Sequence, residues 1–150
     1  MKLSPNFSLA EFTKSDTATR RQIANIPNAL QTAAMRTLCL KVLEPVRAHF
    51  KCPVRITSGF RTPELCLAVG SSQTSQHAKG EAADFELTGI DNRSVAIWIR
   101  DNLAFDQLIL ENYVQGQPNS GWIHVSYSER RMRKEVLTYT RRQYFKGLLL

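Results

Sequence analysis

The sequence predicts an α+β fold in which N-terminal helices pack on a small central antiparallel sheet. Helical periodicity is strongest before residue 50, whereas short β-rich segments dominate after residue 80. A length of 150 residues suits a single core. We therefore expect residues 1–150 to form one domain, with about 128–150 as a basic C-terminal extension of that domain.

The first half of the chain carries two helix signals. Ser8 followed by Glu11 is a capping-box pattern, which predicts a short first helix. Apolar residues recur every four positions from 27 to 50, which predicts a longer helix. Because proline removes one helix hydrogen bond, we expect a kink or a break at Pro45.

Further helices and the strands follow along the chain. Thr62 before Pro63 marks the start of a short helix, and the amphipathic spacing of 91–103 predicts another. Four β-rich segments and one candidate edge strand are, in order, "PVRITSGF", "AADFEL", "DQLILE", "GWIHVSY" and "EVLTYT".

Strand alternation predicts that three polar side chains converge on one face of the sheet. Ala83 and Phe85 would point to the core, which leaves Asp84 on the opposite face. The same rule places His124 and Glu111 on that face. His77 lies on the glycine-containing loop before the Asp84 strand and can reach the same place.

Two imidazoles and one carboxylate suit zinc, with ligand distances of about 2.0–2.2 Å. Any one of His77, Asp84 and His124 has an ordinary structural explanation, but their combination on agreeing faces favours a metal site. Three protein ligands leave one position for water, as in catalytic zinc sites. We therefore expect one Zn²⁺ per chain, whereas His49 fits no site and is expected at the surface.

One motif identifies a family. The segment "SQHAKGEAAD" matches the pattern Ser-x-His-x-x-Gly-x-Ala-x-Asp, with "SGFR" before it and "WIHVS" after it. With these motifs the chain resembles the D-alanyl-D-alanine zinc peptidases over roughly residues 3–127. That group includes D-Ala-D-Ala carboxypeptidases, van-type dipeptidases and phage cell-wall endopeptidases, and the hedgehog signalling domain shares its fold. The opening segment is similar to a branch common in phages and prophages.

The resemblance implies specific roles. His77, Asp84 and His124 match the zinc ligands of the family. Arg61 matches an arginine that polarises the scissile carbonyl, and Ser75 matches a serine that helps to hold the substrate. Trp122 either lines the substrate groove or packs inside the protein, and the sequence leaves both open.

The residue at the general-base position of one branch of the family is different in this chain. In the dipeptidases a glutamate lies three residues before the last histidine, and here that position is Gly121. The resemblance makes Glu111 the best substitute, since a glutamate on the preceding strand serves other members. Glu86 and Glu81 are the alternatives.

Charge and composition limit the classes of binding partner that we expect. The formal net charge of +7 favours a polyanion, such as nucleic acid, anionic lipid or an acidic cell-wall polymer. Tyr139, Tyr144 and Phe145 are interleaved with arginine, but no nucleic-acid module is visible, so a nucleic-acid partner is not expected. We expect a monomer whose three cysteines are reduced thiols.

The function predicted from these observations is zinc-dependent hydrolysis of peptide bonds in bacterial peptidoglycan. The alternative is a non-catalytic zinc-binding or wall-binding module, such as a virion component. The sequence shows no secretory signal and no apolar run of bilayer length. We expect synthesis in the cytoplasm and action on the wall, after release through a phage lysis pore or delivery in a virion.

Overall fold

The computed structural model describes every residue, Met1–Leu150. Its helices and strands follow one another in this order: β1 (Lys2–Ser4), β2 (Phe7–Ser8), α1 (Leu9–Thr13), α2 (Asp16–Arg21), α3 (Ala29–Leu38), a π-helical turn (Cys39–Leu43), α4 (Glu44–Phe50), β3 (Val54–Ser58), α5 (Pro63–Ala68), a 3₁₀ turn (Gln76–Lys79), β4 (Ala82–Leu87), α6 (Asn92–Asn102), β5 (Gln107–Glu111), β6 (Trp122–Ser126), β7 (Glu135–Thr140) and β8 (Gln143–Lys146).

The six strands β3 to β8 form one sheet in the order β3-β4-β6-β5-β7-β8, which confirms the predicted α+β fold. All neighbouring strands are antiparallel except β5 and β7, which are parallel. This pair departs from the antiparallel sheet that we expected. β5 is antiparallel to β6, and the chain reverses direction between β6 and β7. β7 therefore runs in the same direction as β5, with which it pairs.

Two other elements differ from the expectation. The segment "EVLTYT" forms β7 and is not an edge strand, because β8 pairs with its outer side. The N-terminal hairpin of β1 and β2 was not predicted either. By contrast, the Ser8–Glu11 capping box is present at the start of α1 as predicted.

The long helical segment is continuous but changes its winding before Pro45. The backbone N–H of Glu44 donates to the carbonyl of Cys39, five residues back, which defines a π-helical turn. A proline ring clashes with the carbonyl four residues earlier in a regular α-helix. The wider turn relieves this clash, so the interruption expected at Pro45 takes the form of a π turn.

The core lies between the helices and one face of the sheet. It contains a cluster of 21 buried residues, among them Phe12 from α1, Leu38 from α3 and Phe85 from β4. The opposite face of the central strands carries Asp84 and His124, together with the apolar Ile109. His49 is exposed, as predicted, and its ring stacks on Trp98 with centroids 4.3 Å apart.

The Glu44 carboxylate ties the N-terminal hairpin to the long helical segment through three hydrogen bonds. Glu44 accepts hydrogen bonds from the Ser4 hydroxyl at 2.6 Å, the Asn6 backbone N–H at 2.9 Å and the Asn6 side-chain amide at 2.7 Å. Partial burial alone would raise the pKa of Glu44, but these hydrogen bonds outweigh it and hold the pKa below its usual value.

Replacing this carboxylate tests its contribution. Glu44→Ala is expected to lower the free energy of unfolding at neutral pH by about 1–3 kcal/mol, because several hydrogen bonds to a charged group are lost. A lowered folded-state pKa gives stability above the unfolded value of 4.5 that is lost as pH falls through the folded value. Urea unfolding should therefore show a smaller difference between Glu44→Ala and wild type in strong acid. Glu129→Ala, which removes an exposed carboxylate, serves as the control.

Candidate metal centre

His77 is held in a fixed orientation by the backbone of another segment. Its Nδ1 lies 2.7 Å from the carbonyl oxygen of Gly59. Because a carbonyl only accepts, Nδ1 carries the proton and Nε2 keeps a free lone pair. Nε2 lies 3.4 Å from Asp84 Oδ1. The hydrogen bond from Nδ1–H to the Gly59 carbonyl is the outer hydrogen bond that metal-ligating histidines usually make.

Close packing brings the Gly59 carbonyl to this position. A Cβ atom at residue 59 would lie 2.7 Å from the Cα of Phe12 in α1. Only glycine therefore lets the chain pass so near to the helix. The backbone N–H of Phe60 also donates to the Phe12 carbonyl at 2.7 Å, which ties this loop to α1.

Asp84 and His124 are direct neighbours on the sheet. They face each other in the antiparallel register of β4 and β6, and Nδ1 of His124 lies 2.9 Å from Asp84 Oδ1. Side chains directly opposite on antiparallel strands share one face. The convergence predicted from strand alternation is therefore present in the structure.

The three side chains fit a zinc ion. One ligand atom from each of His77, Asp84 and His124 lies within 4.8 Å of the other two. Tetrahedral zinc with ligand distances of about 2.1 Å needs ligands about 3.4 Å apart. The 3.4 Å and 2.9 Å separations from Asp84 Oδ1 are close to that value. Two nitrogens and one carboxylate oxygen are also donors that zinc prefers.

The protonation states suit metal binding. Burial lowers the pKa of His77 and keeps its imidazole neutral. Burial would raise the pKa of Asp84, but the two imidazoles beside it, His77 first and then His124, lower the pKa by more, so Asp84 is a carboxylate. Metal ligands must be deprotonated in this way before they can bind.

The cluster lies in a cleft of about 470 Å³. The side chains that line this cleft include all seven residues assigned to the site from the sequence. They are Arg61, Ser71, Ser75, Gln76, His77, Asp84, Gln107, Ile109, Glu111, Trp122, His124, Arg131, Arg133 and Tyr144.

Glu111 lies beside the metal cluster at the end of β5. Its partner across the strands is Trp122, one same-face position along β6 from His124. Burial, the larger effect, raises the pKa of Glu111, and the nearby Asp84 carboxylate adds to this, whereas His124 lowers it. A raised pKa brings a carboxyl group closer to the range in which it can both accept and return a proton near neutral pH.

The two alternative glutamates lie elsewhere. Glu86 pairs with Arg55 at 2.8 Å and does not line the cleft. Glu81 is buried, lies 3.7 Å from the Arg130 guanidinium and faces a separate groove. Glu111 is thus the only glutamate that lines the cleft.

Gly121 explains why no glutamate can occupy that position in this chain. Its φ is +68°, which side chains other than glycine rarely adopt. A Cβ atom there would also overlap the carbonyl oxygen of Glu111. The backbone of Glu111, at the start of the connection from β5 to β6, therefore leaves no space for a side chain at residue 121.

Arg61 has no carboxylate partner. Its backbone N–H donates to the His77 carbonyl at 3.2 Å, which ties it to the 3₁₀ turn. Its side chain makes no ion pair, and its Nε is buried without a hydrogen-bond partner. An arginine placed only for stability would normally be paired, so this guanidinium is available to a ligand in the cleft.

Ser75 and Trp122 also lie at the cleft. The Ser75 hydroxyl accepts the backbone N–H of His77 at 3.2 Å, so it caps the 3₁₀ turn as well as lining the cleft. Trp122 lines the cleft and is only half-buried. Arg131, Arg133 and Tyr144 were missed, because in the sequence they are part of basic clusters with no site motif.

Comparison with known families decides the assignment. A family model described as Peptidase M15 matches residues 5–126. The chain belongs to the peptidase M15 family. This M15 chain therefore belongs to a metallopeptidase family that typically uses zinc, and the resemblance drawn from the motifs is confirmed. The matched residues include the whole cluster, Arg61 and Glu111.

No curated protein matches the chain at a significant level. A peptidase family implies a peptide as the substrate. None of the helices in the structure has both the length and the apolar character needed to cross a bilayer.

The cluster can be tested by metal analysis. Asp84→Ala should abolish stoichiometric zinc binding, since it removes the carboxylate between the two imidazoles. Glu86→Ala removes a carboxylate from the same strand and should keep about one zinc per chain. Elemental analysis of dialysed protein measures both. Full zinc occupancy in Asp84→Ala would exclude this cluster as the binding site.

The turn at Gly121 gives a second test. Gly121→Ala is expected to cost about 1–3 kcal/mol or more of unfolding free energy, because strain and steric overlap with Glu111 add together. Gly116→Ala is the matched control: its φ is +83°, but a Cβ atom there meets nothing within 4 Å. The difference in unfolding free energy between the two variants, measured in urea, gives the contribution of the steric overlap. Equal losses of unfolding free energy would show that Gly121 does not exclude a side chain by contact.

Proposed function

We propose that this M15 chain hydrolyses a peptide bond in the stem or cross-link of bacterial peptidoglycan, next to a D-amino acid. One observation carries the proposal: the His77–Asp84–His124 cluster shares its cleft with an unpaired arginine and with the cleft's only glutamate. Those are the groups that metal-assisted hydrolysis of a peptide requires.

Zinc would be held by His77 Nε2, His124 Nδ1 and the Asp84 carboxylate. Bound there, zinc supplies a Lewis acid that acidifies water and polarises a carbonyl group. The hydrogen bond from His77 Nδ1–H to Gly59 keeps that ring in the required tautomer.

Glu111 is the proposed general base and acid. Its carboxylate takes the proton from the attacking water and hands it to the leaving amine. Glu111 lies near His124 at the candidate metal site. Burial raises the pKa of Glu111, which favours the uptake of the proton that it then returns. No other glutamate is positioned for this step.

Arg61 is the proposed stabiliser of the carbonyl oxygen as negative charge develops on it. A fixed donor of this kind contributes about 3–4 kcal/mol in comparable sites. Ser75 and Trp122, which lie in the same cleft, are proposed to position the peptide. The partly exposed ring of Trp122 suits packing against the methyl groups of alanine residues.

The charge of the protein fits an anionic wall polymer. The net charge is +7, and residues 128–150 contribute seven basic and two acidic side chains to it. We propose that this C-terminal segment belongs to the same domain, that the protein acts as a monomer, and that it reaches the wall by phage-type lysis or in a virion. A purely wall-binding module would need neither Arg61 nor Glu111 in the cleft, which favours the enzyme.

A charge-neutral substitution tests the base. Glu111→Gln should retain about one zinc per chain but lose hydrolysis by about 10²–10⁴-fold, since only the proton carrier is removed. Glu86→Gln is the matched control and should remain active. Release of soluble fragments from purified peptidoglycan measures the rate, and mass spectrometry of the fragments identifies the bond.

Each outcome has a clear consequence. Unchanged activity in Glu111→Gln would transfer the base role to another group. Zinc-loaded wild type that releases no fragment from peptidoglycan would favour the non-catalytic module.

A further inference from the structure

Two arginines from outside the matched family segment line one end of the cleft. Arg131 and Arg133 follow β6 and precede β7, beyond residue 126, where the family match ends. Glu135, two residues later, lies opposite Gln107 in the register of β5 and β7. The two arginines therefore stand at the Gln107 end of the cleft.

Asp106 holds Arg133 through three hydrogen bonds. This carboxylate is fully buried. Its Oδ1 accepts the Arg133 backbone N–H at 3.0 Å and Nε at 2.8 Å. Its Oδ2 accepts Arg133 Nη2 at 3.0 Å and Gln76 Nε2 at 2.9 Å. A carboxylate offers about four acceptor positions, so Asp106 has no position left.

Arg131 forms only a long ion pair with Asp106 and no hydrogen bond. Its Nε lies 3.8 Å from Asp106 Oδ2, too far for a hydrogen bond, and its side chain makes no other ion pair or hydrogen bond in the protein. Its side chain is 58% exposed. Since Arg133 and Gln76 occupy the acceptor positions of Asp106, the guanidinium donors of Arg131 remain free at the cleft.

The position of Arg131 relative to the metal cluster defines what it can reach. Ile109 lies opposite His124, and Gln107 is the next same-face residue along β5, about 7 Å away. Glu111 and Trp122 lie on the other side of the cluster. Consecutive residues of a peptide are about 3.8 Å apart, so a group one or two residues from the scissile bond spans the distance to Arg131.

We propose that Arg131 binds a carboxylate of the substrate peptide, on the side of the metal cluster opposite Glu111 and Trp122. Guanidinium groups bind carboxylates through two parallel hydrogen bonds, and Arg131 has its donors free. Arg133 and Asp106 form the rigid support beside it. The inference rests on the proposed function, because it assumes that the cleft holds a wall peptide.

In lysine-type peptidoglycan peptides such a carboxylate has two sources: the C-terminal carboxylate, or the α-carboxylate of a γ-linked D-glutamyl residue. Two peptide pairs separate them. The first is acetyl-lysyl-D-alanyl-D-alanine and its C-terminal amide. The second is a C-terminally amidated L-alanyl-γ-D-glutamyl-lysine with its α-carboxylate either free or amidated. Each pair differs by one negative charge only.

Binding is measured by calorimetry on zinc-loaded Glu111→Gln protein, so that no peptide is consumed. Adding Arg131→Gln should weaken binding of the relevant carboxylate peptide by about 10- to 100-fold and leave its amide unchanged. Arg131→Lys should recover part of the loss. The matched control is Arg130→Gln, which removes the same charge from the neighbouring arginine that faces the separate groove.

If Arg131→Gln weakens binding of the carboxylate peptide of the first pair, Arg131 binds the C-terminal carboxylate. If it weakens binding of the carboxylate peptide of the second pair, Arg131 binds the D-glutamyl carboxylate. Equal binding of all four peptides to Arg131→Gln and to its parent overturns the proposal, as does an equal loss in Arg130→Gln or the absence of any binding. Arg131-dependent binding together with a wild type that cleaves no peptide would overturn the proposed function and leave this inference standing.

Discussion

The pairing of β4 with β6 is the constraint on which the site depends. It places Asp84 directly opposite His124 and, on the other face, Phe85 opposite Ile123. A register slip of one residue would turn the polar pair into the core and the apolar pair into the cleft. Burial of Phe85 and Ile123 therefore fixes the geometry of the cluster. The same hydrophobic free energy that stabilises the sheet aligns two of the three side chains of the candidate metal site.

The third side chain of the cluster depends on the helical layer. His77 lies on a short turn, and its ring is oriented by the carbonyl of Gly59, which packs directly on Phe12 of α1. The Gln31 side chain of α3 donates to the carbonyl of Ala78 in the same turn at 3.2 Å. The sheet and the helices thus each contribute to one cluster, and neither layer is sufficient alone.

The arginines of the cleft differ in how their charge is balanced. Arg133 is held by the buried Asp106, which makes it part of the framework. Arg61 has no carboxylate partner, and Arg131 lies 3.8 Å from Asp106 without a hydrogen bond to it. A protein gains little stability from unpaired guanidinium groups, but a cleft gains affinity for oxygen atoms that carry negative charge. Arg133 therefore supports the cleft, whereas Arg61 and Arg131 keep donors without hydrogen-bond partners.

The sequence by itself determined the features that follow from local pattern. Strand alternation was enough to bring Asp84, His124 and Glu111 to one face, and the Ser8–Glu11 spacing was enough for the first helix cap, because both depend on residues near in the chain. Only the tertiary structure decided that β7 joins β5 in parallel, and that Arg133 reaches Asp106, 27 residues away. These contacts join distant segments, and hydrophobic periodicity carries no information about which segments become neighbours.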